Sequence, residues 1–88
     1  MGGAKLHGQY VRLAKVGDGR YEAFSLLTER PVGVIDAAMP RVVRPNGTRI
    51  HPRRVYLFDR EWGTHIIETA EVDSINEGTA WLDLRVAP

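Results

Sequence analysis

The sequence predicts an all-β fold, a small single-domain β-barrel or roll of six to seven short antiparallel strands. The first observation is that short segments rich in β-branched and aromatic residues alternate between two faces. The second is that glycine-containing turns separate these segments roughly every 8–16 residues. The third is that no window longer than a turn or two matches the helical period as well as the others match a period of two.

The first predicted element is a hairpin. Residues 9–16 and 20–28 are both rich in strand-forming side chains, and Asp18-Gly19 lies between them as a tight reversal. Neither face of the second strand is cleanly polar, which is typical of a strand in a small closed barrel. We expect the 88 residues to form one β domain of SH3-like or OB-like scale, with residues 1–5 as a flexible end.

The middle of the chain predicts three further elements. Residues 31–36 form a short strand, with proline at its first position where the missing N–H does no harm. Residues 41–44 and 48–51 flank Asn46-Gly47 as a minor hairpin, and the prolines at positions 45 and 52 indicate an edge or a protruding element. Residues 53–60 then alternate, with Val55 and Leu57 facing one way and Tyr56 and Phe58 the other.

The last predicted element is a second hairpin, formed by residues 64–75 and 79–86 around a turn at positions 76–78. Its final strand has the cleanest period of two in the chain. The predicted inward face consists of Ala80, Leu82, Leu84 and Val86.

Charge is distributed unevenly, although the net charge is only +1. Residues 37–58 contain five arginines and no acidic residue, whereas residues 59–83 contain seven acidic residues and a single basic one, Arg60. Arginine suits forked recognition of phosphate or carboxylate, and such contacts need positive charge without acids nearby to compete for it. The segment therefore predicts an anionic-partner site made of Arg41, Arg44, Arg49, His51, Arg53 and Arg54.

Three aromatic residues extend this prediction. Tyr56 and Phe58 follow the arginines directly and offer a face on which a base can stack. Trp62 lies in a predicted turn between charged residues and is a candidate interface anchor. A plainer interpretation competes with both: the arginines form a solvated rim paired with the acids that follow, and the aromatic rings fill the core.

Two short motifs add a family resemblance. Arg49-Ile-His51-Pro-Arg53 is followed some twenty residues later by Asp73-Ser74-Ile-Asn-Glu-Gly78, and the pair resembles the signature of PilZ domains. The resemblance implies a β-barrel that binds cyclic di-GMP, with Arg49 and Arg53 on the nucleotide and Asp73, Ser74 and Gly78 in a second binding turn. In this chain Asp73 and Ser74 are adjacent, whereas the family motif separates them by one residue.

Catalytic chemistry has little support in the sequence. With no cysteine, the chain has no disulfide and no thiolate nucleophile, and its three histidines share no metal-ligand spacing. Neither serine lies in a nucleophile elbow. We therefore expect no cofactor, no metal and no enzymatic activity. No apolar run approaches the length of a membrane helix, so we expect no membrane contact and a soluble, cytoplasmic protein.

The function that the sequence predicts is a non-enzymatic binding or assembly module. A basic and an acidic segment on one small body complement each other between copies, which favours a protein partner or self-association. The alternative is a nucleic-acid or nucleotide binder that uses the arginines of residues 41–54 with the neighbouring aromatic rings.

Overall fold

A computed structural model describes residues 6–37, 40–61 and 65–88 of the chain. These residues form seven β-strands and, at the end of the chain, one α-helix. The strands are β1 (Val11–Gly17), β2 (Arg20–Ser25), β3 (Pro31–Asp36), β4 (Val42–Val43), β5 (Arg49–Ile50), β6 (Arg53–Phe58) and β7 (Ile66–Val72), and the helix is α1 (Ile75–Val86).

Five strands form one antiparallel sheet in the order β1-β2-β3-β6-β7, and β4 and β5 form a separate two-stranded hairpin between β3 and β6. The prediction of six to seven short antiparallel strands is confirmed in its coarser form: the described residues are mostly β and include a five-stranded antiparallel sheet. The first of the two predicted architectures, a closed β-barrel, is wrong, because β1 and β7 are the two ends of the sheet and do not pair with each other. The sheet is open, and α1 packs on one of its faces.

The glycine turns lie where the sequence places them. Gly19 and Gly47 have φ values of 65° and 85°, a region that residues with a Cβ rarely adopt. The first turn joins β1 to β2, and the second joins β4 to β5, with Val42 opposite Ile50. The predicted hairpins around Asp18-Gly19 and Asn46-Gly47 are therefore confirmed.

The strand β2 ends at Ser25, three residues earlier than predicted. The Ser25 hydroxyl accepts hydrogen bonds from the backbone N–H groups of Leu27 and Thr28, each at 3.1 Å, and thereby turns the chain. Glu29 completes the turn with a φ of 61°. Leu26 and Leu27 consequently belong to a loop and not to the sheet.

The core lies between α1 and the face of the sheet that α1 covers. In strand β6, Val55 and Leu57 are buried and Tyr56 and Phe58 are half-buried, as the alternation predicts. The buried cluster joins nine apolar residues from both layers. Its members are Val11, Leu13, Ala23, Ile35, Val55, Leu57, Val72, Ile75 and Leu82.

The helix α1 contradicts the predicted last strand and the predicted turn at positions 76–78. Ser74 is its N-cap: the hydroxyl accepts from the backbone N–H of Glu77 at 3.0 Å, and the Glu77 carboxylate accepts from the N–H of Asp73 at 2.8 Å. This reciprocal pair begins a helix where a strand was expected. The second hairpin is also wrong, because β7 pairs with β6 and not with residues 79–86.

Burial along α1 follows the helical period. Ile75, Gly78, Thr79 and Leu82 are buried, which are positions i, i+3, i+4 and i+7 of one helix face. Of the predicted inward face, Leu82 is buried, whereas Ala80 is exposed and Leu84 is 80% exposed. Val86 is half-buried at the end of the helix. The apparent alternation of apolar residues was therefore a coincidence of composition.

A carboxylate fastens the N-terminal segment to the helix. The two side-chain oxygens of Asp83 accept from the backbone N–H groups of Gln9 and Tyr10, each at 2.9 Å. The same segment runs back along the edge of β1, where the N–H of Leu13 donates to the carbonyl of Leu6 at 2.7 Å. Asp83, which lies 74 positions after Gln9, thus holds the start of the described chain in place.

Candidate functional site

The predicted arginines do not form one patch. Arg41 and Arg49 are exposed on the β4–β5 hairpin and form no ion pair with any described residue. Arg44 lies on the same hairpin, but its guanidinium pairs with the carboxylate of Asp73. The structure therefore leaves two of the three hairpin arginines available to a partner and uses the third within the molecule.

Arg53 and His51 are turned inward. The Nη1 atom of Arg53 donates to the carbonyl oxygen of His51 at 2.9 Å, and both residues are half-buried. The Nε atom of Arg53 is buried and has no hydrogen-bond acceptor among the described residues. This pair supports the backbone that leads from the hairpin into β6, and neither side chain projects as the hairpin arginines do.

Arg54 belongs to a row of alternating charge across the open face of the sheet. Cross-strand neighbours in this row are Arg20 and Asp36, then Asp36 and Arg54, then Arg54 and Glu71. Arg20 and Asp36 also form an ion pair at 3.4 Å. Opposite charges in direct register stabilise a sheet modestly. The solvated-rim interpretation thus describes Arg54 better than the docking interpretation does.

The predicted aromatic residues lie at different surfaces. Tyr56 lies in the next row of the open face, between Val34 and Thr69. Phe58 follows a register shift in the pairing of β6 with β7 and lines a groove at the far end of the sheet. Trp62, the predicted interface anchor, lies outside the described residues.

The arginines that remain available project from what we call the basic hairpin, residues 41–50. Its turn is closed by backbone hydrogen bonds of 2.8 Å from the N–H of Arg44 to Thr48 and from the N–H of Gly47 to Arg44. Val42 and Val43 are 43% and 65% exposed between the charges. The hairpin therefore presents two cations and two apolar side chains on a locally defined backbone.

The acidic segment is largely used by the fold. Asp73 pairs with Arg44, Glu68 pairs with Arg85 at 2.8 Å, and Glu77 and Asp83 accept backbone hydrogen bonds. Four of the acidic residues in the last third of the chain therefore have structural partners within the molecule. Glu61 and Glu71 are exposed and form no ion pair within the described part of the molecule.

Sequence reasoning missed an apolar groove of about 670 Å³ at the opposite end of the sheet from the basic hairpin. Its walls come from the loop after β2, from the loop after β6 and from the end of α1. The sequence contains one indication of this groove, the adjacent pair Leu26-Leu27 directly before a polar turn. Two neighbouring leucines cannot both face the same side of a strand, so at least one of them must lie outside a regular sheet face. Its lining includes Leu26, Leu27, Val32, Leu57, Phe58, Ile67 and Val86.

A metal centre needs a grouping of ligating side chains. Among residues 6–37, 40–61 and 65–88, no three histidine, aspartate or glutamate side chains are grouped so that they hold a metal ion. In the same ranges, no helix has the length and apolar character needed to cross a membrane.

The comparisons with known proteins give no relative: no family model, no curated protein and no solved structure matches the chain. The residues behind the PilZ resemblance also have local roles. Asp73 pairs with Arg44, Ser74 caps α1, and Gly78 is buried inside that helix, where the resemblance implies a binding turn. The surfaces of this molecule are therefore the features from which its function is inferred.

Proposed function

We propose that the protein is a non-enzymatic binding module whose basic hairpin docks an acidic protein surface. The observation that carries the proposal is that Arg41 and Arg49 are exposed on an anchored hairpin and form no ion pair with any described residue. An exposed guanidinium on a fixed backbone pairs with a carboxylate at a smaller entropic cost than one on a mobile loop.

The anchoring of the hairpin supports this function. The ion pair between Arg44 and Asp73 ties the hairpin to the residue that precedes the N-cap of α1. The turn is further held by the N–H of Thr48, which donates to the side-chain oxygen of Asn46 at 3.0 Å. The two available arginines are therefore presented from a backbone that is closed by its own hydrogen bonds.

The apolar residues on the hairpin favour a protein partner over a nucleic acid. Val42 and Val43 are exposed beside the arginines, and a protein interface typically buries apolar residues within a charged rim. A second copy of the chain is one such acidic surface, since its Glu61 and Glu71 are exposed.

The test uses a fluorescent poly-glutamate peptide as the probe of an acidic protein surface. The variant is the double charge reversal Arg41→Glu with Arg49→Glu, and its matched control is Arg12→Glu with Lys15→Glu, which changes the net charge equally at exposed basic residues of β1. We expect the unmodified protein to bind the peptide at low salt and the hairpin variant to lose roughly tenfold or more in affinity. The control is expected to lose much less.

Light scattering at low and high salt, with and without a short oligonucleotide, completes the experiment. Self-association through the hairpin predicts a mass that rises with concentration at low salt and falls when salt is added. If both double variants lose peptide binding equally, attraction follows net charge and the hairpin is not the site. If the oligonucleotide binds more tightly than the peptide, with a steep salt dependence, the protein is a nucleic-acid binder and the proposal is wrong.

A further inference from the structure

The apolar groove exists because α1 leaves part of the sheet face uncovered. Twelve helical residues span about 18 Å, and the last of them, Val86, lines the groove. The last buried residue of the helix, Leu82, packs on the backbone of Gly33. Beyond the end of the helix the same sheet face continues as Val32 and Leu57, which form the floor of the groove.

The side chains at the mouth of the groove are apolar and exposed. Leu27 is 85% exposed and Ile67 is 58% exposed, and both line the groove. Apolar side chains that line a concavity lose water contact when a ligand enters, which provides the main driving force for binding. The groove is therefore an extension of the core that lacks a covering element among the described residues.

The charged side chains that line the groove favour one sign of charge in a ligand. Arg30 and Arg60 line it and form no ion pair with any described residue. Arg85 also lines it, although its charge is shared with Glu68 and its guanidinium stacks on Trp81 at 3.7 Å from the ring centre. Asp59 is the single acid among the described lining residues. The rim is thus net positive and disfavours basic ligands.

An unpaired backbone edge adjoins the groove. The strand β7 is the last strand of the sheet, and its residue Ile67 lines the groove. The outward N–H and C=O groups of β7 pair with no other described strand. A polypeptide satisfies such an edge by adding a strand, whereas an alkyl chain has no group that pairs with it.

From these observations we infer that the apolar groove binds a short apolar segment of a partner protein that carries acidic side chains beside its apolar residues. The apolar residues of that segment pack on Val32 and Leu57. Its carboxylates reach Arg30 and Arg60. Its backbone continues along the edge of β7. This site is separate from the basic hairpin, which lies at the other end of the sheet.

The probe is a synthetic peptide whose leucine and valine core is flanked by glutamates, and a second peptide carries lysines in their place. Binding is followed by fluorescence anisotropy and by the methyl NMR signals of the protein. We expect the acidic peptide to shift the signals of Leu26, Leu27 and Ile67 and to bind roughly tenfold more tightly than the basic one. Charge reversal of Arg30 and Arg60 to glutamate is expected to invert that preference.

A pair of exposed leucines provides the structural control. Leu27→Ser removes apolar surface from the groove, while Leu84→Ser removes a side chain that is 80% exposed and lies outside it. Neither residue is buried, so both variants are expected to fold. Only Leu27→Ser is expected to weaken the shifts that the acidic peptide causes in the methyl signals of Leu26 and Ile67. Those shifts are expected to persist when Arg41 and Arg49 on the basic hairpin are reversed to glutamate.

Three outcomes would overturn the inference. Signal shifts confined to the basic hairpin would place the peptide elsewhere. Equal affinity for the acidic and basic peptides would remove the role of the arginine rim. Binding of a fatty acid such as decanoate in the groove, with no binding of either peptide, would assign the groove to a lipid ligand. None of these results depends on whether poly-glutamate binds the hairpin, so the two proposals fail separately.

Discussion

The two ends of the sheet are built differently. At one end the basic hairpin leaves the sheet and is held by local hydrogen bonds and by the ion pair of Arg44 with Asp73. At the other end the apolar groove is an exposed part of the core, with its floor on β3 and β6 and a wall at the end of α1. We therefore expect substitutions on the hairpin to leave the free energy of unfolding nearly unchanged, and substitutions at the groove floor to lower it.

The largest loss of stability is expected for Gly33→Ala. Gly33 lies in strand β3, between the hairpin end and the groove end of the sheet. A Cβ at this position would clash with the carbonyl oxygen of Tyr56 and lie 3.0 Å from the Leu82 side chain. We expect a loss of about 3 kcal/mol or more in the free energy of unfolding, because a backbone atom in a central strand cannot move aside. Urea denaturation measures the effect.

The matched control is Gly17→Ala. A Cβ at Gly17 meets nothing within 4 Å, and we expect a change of less than about 1 kcal/mol. If the two alanine variants unfold at the same urea concentration, then β3, β6 and α1 can accommodate a side chain at Gly33 without a loss in the free energy of unfolding.

The second test, of intermediate size, separates the two ends. Asp83→Ala removes the acceptor for the N–H groups of Gln9 and Tyr10, and Tyr10 lines the groove. We expect a loss of about 2 kcal/mol in the free energy of unfolding, since two hydrogen bonds to a charged acceptor are lost. Methyl NMR signals at the groove are expected to shift, while those of Val42 and Val43 stay in place.

Asp83→Asn serves as the conservative comparison, because the amide keeps one acceptor oxygen and is expected to lose less stability than alanine. An alanine variant with the unfolding midpoint of the original protein would show that the hydrogen bonds of Asp83 to Gln9 and Tyr10 do not stabilise the molecule. Shifts at the hairpin would show that the two ends are coupled.

The smallest effect on stability is expected for Arg44→Ala. Both partners of the ion pair with Asp73 have side chains that are 46% exposed, and exposed ion pairs contribute about 0–1 kcal/mol. We therefore expect an almost unchanged urea midpoint but greater motion of the basic hairpin, seen as lower backbone order parameters for residues 41–50. Order parameters equal to those of the original protein would mean that the hydrogen bonds of the turn are sufficient to hold the hairpin.

Much of the sheet was predictable because its signals are local. The Asp18-Gly19 and Asn46-Gly47 turns, the alternation of Val55 and Leu57 in β6, and the positions of the short strands all follow from neighbouring residues. The error at α1 has an equally local cause. Residues 79–86 match a period of two, but Ser74 and Glu77 form a capping pair that begins a helix, and the helical spacing of Ile75, Gly78, Thr79 and Leu82 agrees with it.

The candidate sites were less predictable. The arginine-rich segment led directly to the basic hairpin, but the sequence did not show that Arg44 is paired, that Arg53 is turned inward or that Arg54 stands between two acids. The groove was missed entirely because its residues come from five separated stretches of the chain.

By itself the sequence determined most of the strands, the glycine turns at Asp18-Gly19 and Asn46-Gly47, and the placement of a basic segment on a hairpin. These features depend on backbone preferences and on contacts within a few residues. The tertiary structure decided that the sheet stays open under a helix, which arginines remain available and where a groove is left. Those outcomes depend on contacts such as Arg44 with Asp73, 29 residues apart, and Asp83 with Gln9, 74 residues apart. No local pattern encodes which of several carboxylates a given cation or N–H group will meet, because packing brings them together only when the layers of the fold assemble.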